Sequence, residues 1–408
     1  MASRVFSIFP PRILRQKLVC NQISIKFKHN YTFILKSIIK MSIFVKVYNQ
    51  SMADINANYS LKGINAFKLD ISATECVEIN KIEDLGQIRK NHFVKVNNFI
   101  VLGEGTNTLF TKDFNGLVLK MNIVGVSKIK ETKNNVILEI GAGESWIKLV
   151  EYAVKNNWGG LENLSYIPGK VGAAPVQNIA AYGQNFDEIF DSLRAFDIQT
   201  GKIKTFDKQS CKFGYRTSIF KLPEYKKYVI VSVRIRLRKN ARINTEYHSR
   251  YESLLGELSS LAESPYTIQD VHKAVLSIRK RKLPDWKKVG TAGSFFINPV
   301  ISKEKLRKIQ TITPDVQYYP IDELTYPKSD DPKFKHSDYV KIAAGWLFEE
   351  LGWRGKKIGD VGTSPNHALV VINYGGASPT NVVEFTNKMK NKFKERYGVT
   401  LKSEVNII

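Results

Sequence analysis

The chain has 408 residues, which is long enough for two or three domains with separate cores. Hydrophobic residues make up 43% and charged residues 25%, and the three cysteines, Cys20, Cys76 and Cys211, follow no metal-binding or redox spacing. A disulfide scaffold is therefore not expected, and neither is a metal site. The formal net charge of +24 is consistent with phosphate-rich ligands, and equally with lysine drift on solvated faces. Because no arginine-rich tract, zinc finger or aromatic–basic motif occurs, we predict no nucleic-acid partner.

Residues 1–53 contain no Asp or Glu but carry nine Lys or Arg side chains. A basic, acid-free and apolar-rich start is typical of an organelle transit peptide. A misassigned start is an equal alternative, because Met41 or Met52 could begin a shorter chain. The apolar run from Tyr31 to Val47 is interrupted by three lysines, so no membrane span is predicted there. We expect residues 1–58 to form a basic extension that serves targeting or is disordered.

The first half of the chain predicts strands and one amphipathic helix. Short apolar strands are expected at Phe99–Leu102, Leu117–Met121 and Val136–Ile140. A helix from Trp146 to Val154, apolar on one face, stops before Gly159-Gly160. Thr200-Gly201 lies between two strand-like runs and predicts a hairpin. The strict alternation of Val231–Arg238 predicts a strand with one buried face.

The second half predicts two further helices. One begins at Thr267, with Asp270 three positions later as in a capping box, and ends in the basic run Arg279–Lys282. Leu283-Pro-Asp285 breaks the pattern and marks a domain boundary. The other runs from Val382 to Phe393 and is closed by Gly398, and the remaining residues to Ile408 are expected to form a terminal strand. Since no strand leads into Gly-x-Gly-x-x-Gly, the mixture predicts an α+β fold and no Rossmann dinucleotide domain.

Four glycine-rich or small-residue turns lie within about seventy residues of one another. They are Gly103–Thr108, Gly141–Gly143, Gly159-Gly160 and Ile167–Pro175. Glycine lets backbone N–H groups approach a pyrophosphate without a Cβ in the way. One such turn usually only reverses the chain, but four together indicate a long, phosphate-bearing ligand lying across a backbone surface.

Seven longer motifs connect the chain to a known enzyme family. They are Gly160–Asn163, Pro175–Gly183, Phe213–Lys221, Leu283–Asp285, Ala292–Pro299, Ala343–Leu347 and Leu401–Val405. With these motifs the chain resembles the UDP-N-acetylenolpyruvoylglucosamine reductase family from Tyr59 to the C-terminus. The residues Thr245–Tyr247 and Gln317–Pro320 resemble the form of the family that has a tyrosine loop over the substrate.

The resemblance implies an α+β enzyme of peptidoglycan precursor synthesis. An FAD-binding domain of the vanillyl-alcohol-oxidase type would comprise two subdomains, residues 59–125 and 126–283. A C-terminal α+β substrate-binding domain would follow at 284–398, and a terminal strand at 399–408. The implied ligands are FAD, NADPH and UDP-N-acetyl-3-O-(1-carboxyvinyl)-glucosamine. The implied enzyme is a cytoplasmic monomer.

The same resemblance implies the residues of the site. Arg216 would stabilise the enolate, Ser294 would donate a proton and Glu404 would orient the site, whereas Tyr247, Lys282 and Asn298 would contact the substrate. Arg279, near Lys282 in the same basic run, is interpreted mainly as a solvated helix end. The residues expected around FAD are Gly103, Glu104, Gly105, Thr106, Asn107, Gly169, Gly172, Ala173, Gln177, Asn178, Tyr182 and Gly183.

The chain also departs from the family pattern. Asn406 stands where arginine is usual, Lys402 and Ser403 replace glutamate and proline, and Ala173-Ala174 lack the usual hydroxyls. Two alternatives therefore remain open at this stage. One is a decayed, non-catalytic binder of FAD or nucleotide sugar, and the other is an oxidase with covalently bound FAD. The second is disfavoured because no histidine lies between His92 and His248, near the first glycine turn.

Overall fold

The computed structural model describes residues 55–90, 98–245, 253–321 and 335–408. Residues 1–54 of the basic extension predicted at 1–58 lie outside these residues, and so does the predicted substrate contact Tyr247. The predicted limit of the extension is too long, because Ile55–Asn58 already belong to a strand that pairs with Ser72–Ile79. Ala53–Ile408 form one unit. Within the described residues, no helix is both long and apolar enough to cross a membrane.

A four-stranded sheet opens the described chain. Its strands are β1 (Ile55–Ser60), β2 (Ser72–Ile79), β3 (Phe99–Leu102) and β5 (Phe114–Met121), in the order β1-β2-β5-β3. β5 lies parallel to both β2 and β3, and β1 is antiparallel to β2. Helix α1 (Ile82–Lys90) follows β2. The sequence predicts β3 with the observed bounds. It also predicts β5, but as Leu117–Met121, which is three residues shorter than the observed strand.

A five-stranded antiparallel sheet follows, in the order β11-β10-β12-β7-β6. Its strands are β6 (Val126–Glu131), β7 (Asn135–Gly141), β10 (Phe190–Asp197), β11 (Ile203–Asp207) and β12 (Tyr228–Arg238). β10 and β11 form the hairpin predicted at Thr200-Gly201. The sequence predicts that alternate residues of Val231–Arg238 are buried, and the structure shows this alternation only from Val233 to Arg238. Ser232, which the alternation places on the other face, is buried as well, and its hydroxyl donates to Glu139 at 2.8 Å.

Other elements lie between the strands of this sheet or after its last strand. Between strands lie α2 (Trp146–Lys155), β8 (Ala180–Ala181), β9 (Gln184–Asn185) and α3 (Lys208–Cys211), and α4 (Leu254–Leu261) and α5 (Ile268–Lys282) follow β12. α5 begins with the predicted capping box: Thr267 accepts from the Asp270 N–H, and Asp270 accepts from the Thr267 N–H. α2 buries Trp146, Leu149 and Val150, the apolar face that its spacing predicts.

The C-terminal part contains two antiparallel sheets. The first has the order β13-β19-β18-β17 and the second β14-β16-β15. The strands are β13 (Gly290–Ser294), β14 (Val300–Ser302), β15 (Tyr318–Pro320), β16 (Tyr339–Ile342), β17 (Lys357–Ile358), β18 (Val361–Ser364) and β19 (His367–Asn373), and the helices are α6 (Lys303–Gln310), α7 (Ala344–Glu350) and α8 (Pro379–Tyr397). α8 ends at Gly398, whose φ of +59° gives the left-handed cap predicted from the sequence.

The prediction of a terminal strand over Val399–Ile408 is wrong in extent. Only β20 (Asn406–Ile407) is a strand, and it lies parallel to β4 (Thr108–Leu109). The preceding residues bond to a different segment, since the Ile297 N–H donates to Lys402 and the Glu404 N–H donates to Phe295. Because the backbone changes partner within a few residues, no long ladder forms.

Two large hydrophobic cores share the first sheet. One side of it, including Cys76 and Val118, packs with the C-terminal part around Phe295 and Phe348. The other side, including Leu119, packs with the five-stranded sheet and α2. The predicted boundary between residues 125 and 126 therefore cuts through a continuous core, and as a domain limit it remains a prediction.

Candidate active site

A cavity of about 950 Å³ is lined by residues from segments that are far apart in the sequence, between Lys62 and Glu404. Six of its lining side chains are cationic and two are carboxylates. The cations are Lys62, Lys68, Arg216, Arg279, Lys282 and Lys287, and the carboxylates are Glu104 and Glu404. This excess of positive charge matches a ligand that carries phosphate or carboxylate groups.

The first wall is the glycine turn between β3 and β4. Gly105 has φ +62°, and a Cβ there would lie 2.1 Å from the Ile64 carbonyl oxygen, so only glycine fits. Glu104, Thr106 and Asn107 line the cavity. The predicted positions Gly103 and Gly105 are not among the lining residues, and they shape this turn from behind.

The second wall runs from Gly169 to Gly183. Gly172 packs so closely on Ala142 that a Cβ would lie 2.7 Å from the Ala142 Cβ. Gln177 and Tyr182 line the cavity. Asn178 instead anchors the wall from behind, because its Nδ2 donates to the Gly214 carbonyl at 3.2 Å. The predicted residues Gly169, Gly172, Ala173 and Gly183 are likewise not among those that line the cavity.

Arg216 reaches the cavity from a tight turn. The Gly214 N–H donates to the Thr217 carbonyl at 3.1 Å, and the Thr217 N–H donates to the Gly214 carbonyl at 3.2 Å. Arg216 has φ +55°, a left-handed conformation that costs a non-glycine residue about 1–2 kcal/mol. Ser218, which donates to the Val176 carbonyl at 2.7 Å, ties the turn to the second wall. The strained turn thus presents the guanidinium at a fixed place.

Glu404 faces Arg216 from the C-terminal segment. Its Oε1 lies 3.5 Å from the Arg216 Nε. Its backbone N–H donates to the Phe295 carbonyl at 2.9 Å, and its carbonyl accepts from the Asn107 Nδ2 at 3.2 Å. Asn107 also donates to the Gln177 side chain. The carboxylate is therefore held between the first wall and β13.

Ser294 lies at the end of β13 and also lines the cavity. Gly293, with φ +73°, interrupts the pairing of β13 with β19 just before it. Phe295 then donates to the Leu369 carbonyl at 2.9 Å and accepts from Glu404. The predicted catalytic residues Arg216, Ser294 and Glu404 therefore meet in one cavity, although they come from three distant segments.

Lys282 and Arg279 both line the cavity from the end of α5. The sequence interpretation of Arg279 as mainly a solvated helix end is wrong, because this residue lines the cavity. Its Nε donates to the Tyr166 carbonyl at 3.2 Å and its guanidinium bonds to the Tyr182 hydroxyl. Burial lowers the pKa of Arg279. The basic run alone could not show this, because which cations face inward depends on where α5 packs.

Asn298 is not among the residues that line the cavity. Its Oδ1 accepts from the Ala344 N–H at 3.0 Å, and its side chain bonds to the Tyr215 hydroxyl. Its role as a substrate contact remains a prediction.

Several lining residues had no signal in the sequence. Lys62, Lys68, Trp286, Lys287 and His367 stand in no motif singled out there, and they reach the site because their segments fold onto it. The His367 Nδ1 accepts from the Leu369 N–H at 3.2 Å, so a neutral ring carries its proton on Nε2. Burial, and then the charges of Lys282 and Arg354, lower the pKa of His367 to about 3. The imidazole is therefore neutral near pH 7.

Comparison with known proteins matches two family profiles. Residues 89–207 match an FAD binding domain, and residues 285–408 match the C-terminal domain of UDP-N-acetylenolpyruvoylglucosamine reductase. The Flavobacterium johnsoniae UDP-N-acetylenolpyruvoylglucosamine reductase is 38% identical over 356 residues, covering 87% of this chain and 100% of the relative. The Pseudomonas aeruginosa reductase of the same name is 36% identical over 354 residues, with 87% and 99% covered. A crystal structure of the Thermus caldophilus reductase shares the fold, with a TM-score of 0.56 at 20% identity, over 87% of this chain and 98% of that one.

The fold and the matched domains define an FAD-dependent oxidoreductase. The predicted α+β class, with an FAD-binding domain and a C-terminal domain, is confirmed. The chain belongs to the UDP-N-acetylenolpyruvoylglucosamine reductase family, whose cofactors are FAD and NADPH.

The residues present fit FAD. Gly169, with φ +118°, faces the first wall so closely that a Cβ would lie 3.0 Å from the Thr106 hydroxyl. Lys170 pairs with Glu104 across the same gap at 3.5 Å. The two walls thus form a narrow backbone cradle that side chains would fill, as a diphosphate ligand requires.

Proposed function

We propose that this chain reduces UDP-N-acetyl-3-O-(1-carboxyvinyl)-glucosamine to UDP-N-acetylmuramate, with NADPH as the reductant and FAD as the carrier. The observation that carries the proposal is the meeting of Arg216, Ser294 and Glu404 in one cationic cavity. Bound FAD supplies the hydride that adds to the terminal vinyl carbon of the substrate. The protein must bind the substrate, stabilise the charge that develops and deliver a proton.

Arg216 binds the substrate carboxylate and stabilises the enolate. Addition to the vinyl carbon leaves negative charge on the adjoining carbon and its carboxylate, and a preorganised guanidinium meets that charge without rearrangement. The strained turn and the Glu404 carboxylate, 3.5 Å from the Nε, both support this orientation.

Ser294 protonates the enolate. An ordinary serine holds its proton too tightly for general acid catalysis, but an enolate is basic enough to take it. The position of Ser294 at the wall of the cavity that also contains Arg216 supports this role.

Cations at the end of α5 bind the diphosphate of the substrate. Lys282 is the proposed direct contact, and we add Arg279 because its guanidinium also lines the cavity. The predicted FAD residues of the two walls hold the cofactor, with Gly103–Asn107 on one side and the run from Gly169 to Gly183 on the other. Tyr247 and Asn298 remain proposed substrate contacts.

The setting of the reaction also belongs to the proposal. We place this enzyme in the cytoplasm as a monomer acting in peptidoglycan precursor synthesis, with residues 1–53 as a targeting segment. The acid-free, basic composition of that extension supports an addressing role. The limits 59–125, 126–283, 284–398 and 399–408 remain our proposed domain division.

The test separates the two half-reactions in a Ser294→Ala variant. NADPH should reduce the flavin at close to the normal rate, because no proton transfer from Ser294 is needed in that half. Reoxidation by the enolpyruvyl substrate should slow by about 10²–10⁴-fold, the usual contribution of a positioned proton donor. Rapid-mixing spectroscopy measures each half separately.

Ser294→Cys is the matched control, because a thiol can donate a proton and should recover part of the rate. If alanine slows both halves equally, Ser294 positions the cofactor instead. If alanine slows neither, the proton comes from another group and the proposed mechanism is wrong.

A further inference from the structure

Tyr215 is adjacent to Arg216 in the strained turn but is not among the residues that line the cavity. Its hydroxyl is hydrogen bonded to the side chains of Asn298 and Arg216. It thereby joins the turn after the second wall to the segment that follows β13.

The direction of the Arg216 bond is fixed by chemistry. A guanidinium has only N–H donors, so Arg216 must donate to the phenol oxygen. The Asn298 Oδ1 also accepts from the Ala344 N–H at 3.0 Å, which fixes the orientation of the Asn298 amide beside Tyr215. The Tyr215 oxygen is therefore held by Asn298 while it accepts from Arg216.

The Tyr215 ring is held as well. The Lys341 ammonium lies over this ring, 4.9 Å from its centroid, and 5.6 Å from that of Tyr319. A cation at such a distance attracts the face of an aromatic ring. Lys341 is in β16, so this contact again joins the Arg216 turn to the C-terminal part of the fold.

We propose that Tyr215 is a positioning residue for Arg216, because its phenol oxygen accepts from the same guanidinium that Glu404 faces. Asn298 and Lys341 hold Tyr215 in turn, so the arginine is aligned only when the C-terminal part is docked. This inference rests on the role given to Arg216 in the proposed function. It assigns Asn298 a structural task that is compatible with a substrate contact.

The test uses the holoenzyme with Tyr215→Phe, which removes the oxygen and keeps the ring over which Lys341 lies. Reduction of the flavin by NADPH and the affinity for FAD should stay within about twofold of wild type. The limiting rate of reoxidation by the enolpyruvyl substrate should fall by about 10- to 100-fold, since small misplacements of a reacting geometry have effects of that size.

A double-mutant cycle with Arg216→Gln shows whether Tyr215 acts through Arg216. In the Arg216→Gln background, Tyr215→Phe should cause no further loss of reoxidation rate. A full additional loss in that background, or an equal loss in both half-reactions, would overturn the inference. If Arg216→Gln itself leaves reoxidation unchanged, the proposed function of Arg216 fails, which is a separate result.

Lys341 supplies a second pair of variants should Tyr215→Phe fold poorly. Lys341→Met removes the cation and should slow reoxidation alone, by less than Tyr215→Phe does. Lys341→Arg keeps a cation over the ring and should restore most of that rate. Equal rates in the methionine and arginine variants would contradict the proposed hold on Tyr215.

Discussion

Five of the eight described non-glycine residues that have left-handed backbone lie in or beside the cavity. They are Lys68, Tyr166, Asn178, Tyr182 and Arg216, with φ between +45° and +60°. Each such residue costs about 1–2 kcal/mol, and the surrounding structure must impose it. Tyr166 and Tyr182 both bond to Arg279, and Asn178 anchors the Arg216 turn. Part of the backbone strain is thus located where cations line the cavity.

His367 makes the stability of the protein depend on pH. Its folded pKa is lowered to about 3 from an ordinary 6.5, first by burial and then by Lys282 and Arg354. The unfolded chain therefore binds a proton before the folded one does, and stability is lost as pH falls from about 6.5 towards 3. At pH 5 this loss is about 2 kcal/mol, or 1.5 pH units at 1.36 kcal/mol each.

We expect His367→Gln to lose about 2 kcal/mol less stability than wild type between pH 7.5 and pH 5. Glutamine keeps an N–H donor without a titrating group, so the two proteins differ mainly in that charge. Urea unfolding of both proteins at a series of pH values measures the difference. Parallel stability curves for the two proteins would show that His367 titrates normally.

At the scale of elements, the sequence predicted what local rules decide. The capping box of α5, the left-handed cap at Gly398 and the β10–β11 hairpin each depend on a few neighbouring residues, and all three are present. The terminal strand failed because its partners, β4 and the Phe295 segment, are remote in sequence. The sequence did not predict that Lys62, Lys68 and His367 line the cavity, for the same reason. No local pattern shows which remote surface a segment will contact.

Thr267→Ala should lower the free energy of unfolding by about 1 kcal/mol, because it removes one half of the α5 capping box. Both half-reaction rates at 25 °C should stay close to normal, since Arg279 and Lys282 lie at the opposite end of α5. Thermal unfolding and rapid mixing measure the two effects. Thr267→Ser keeps the capping oxygen and should be near wild type, so equal losses in both variants would exclude the cap as the cause.

At the scale of the molecule, the first sheet holds the other parts together. Its two faces contribute to the two large cores, and hydrogen bonds add to this packing. The Thr291 N–H donates to the Ala66 carbonyl at 2.7 Å, and the Asn373 Nδ2 donates to the Phe67 carbonyl at 2.8 Å. The C-terminal part is therefore attached directly to the segment between β1 and β2.

We expect residues 53–408 to fold without the basic extension, because they form one unit with both large cores. The purified fragment should be yellow, bind about one FAD non-covalently and carry out both half-reactions at the rates of the full chain. Absorption spectra before and after FAD addition, followed by rapid mixing, measure this. A folded fragment that stays colourless with added FAD would contradict the assignment, and a fragment that misfolds would show that the extension packs on the rest.

The link between Asn107 and Glu404 joins residues that are 297 positions apart. During translation the glycine turns and the Arg216 turn leave the ribosome long before Glu404 and β20 exist. Closing so long a loop is also entropically unfavourable and slow. A nascent chain therefore lacks the carboxylate that faces Arg216 until residues 404–408 have been added. On the roles proposed for Arg216 and Glu404, only a chain that contains this segment is competent for the second half-reaction, and a chain truncated before Glu404 is not.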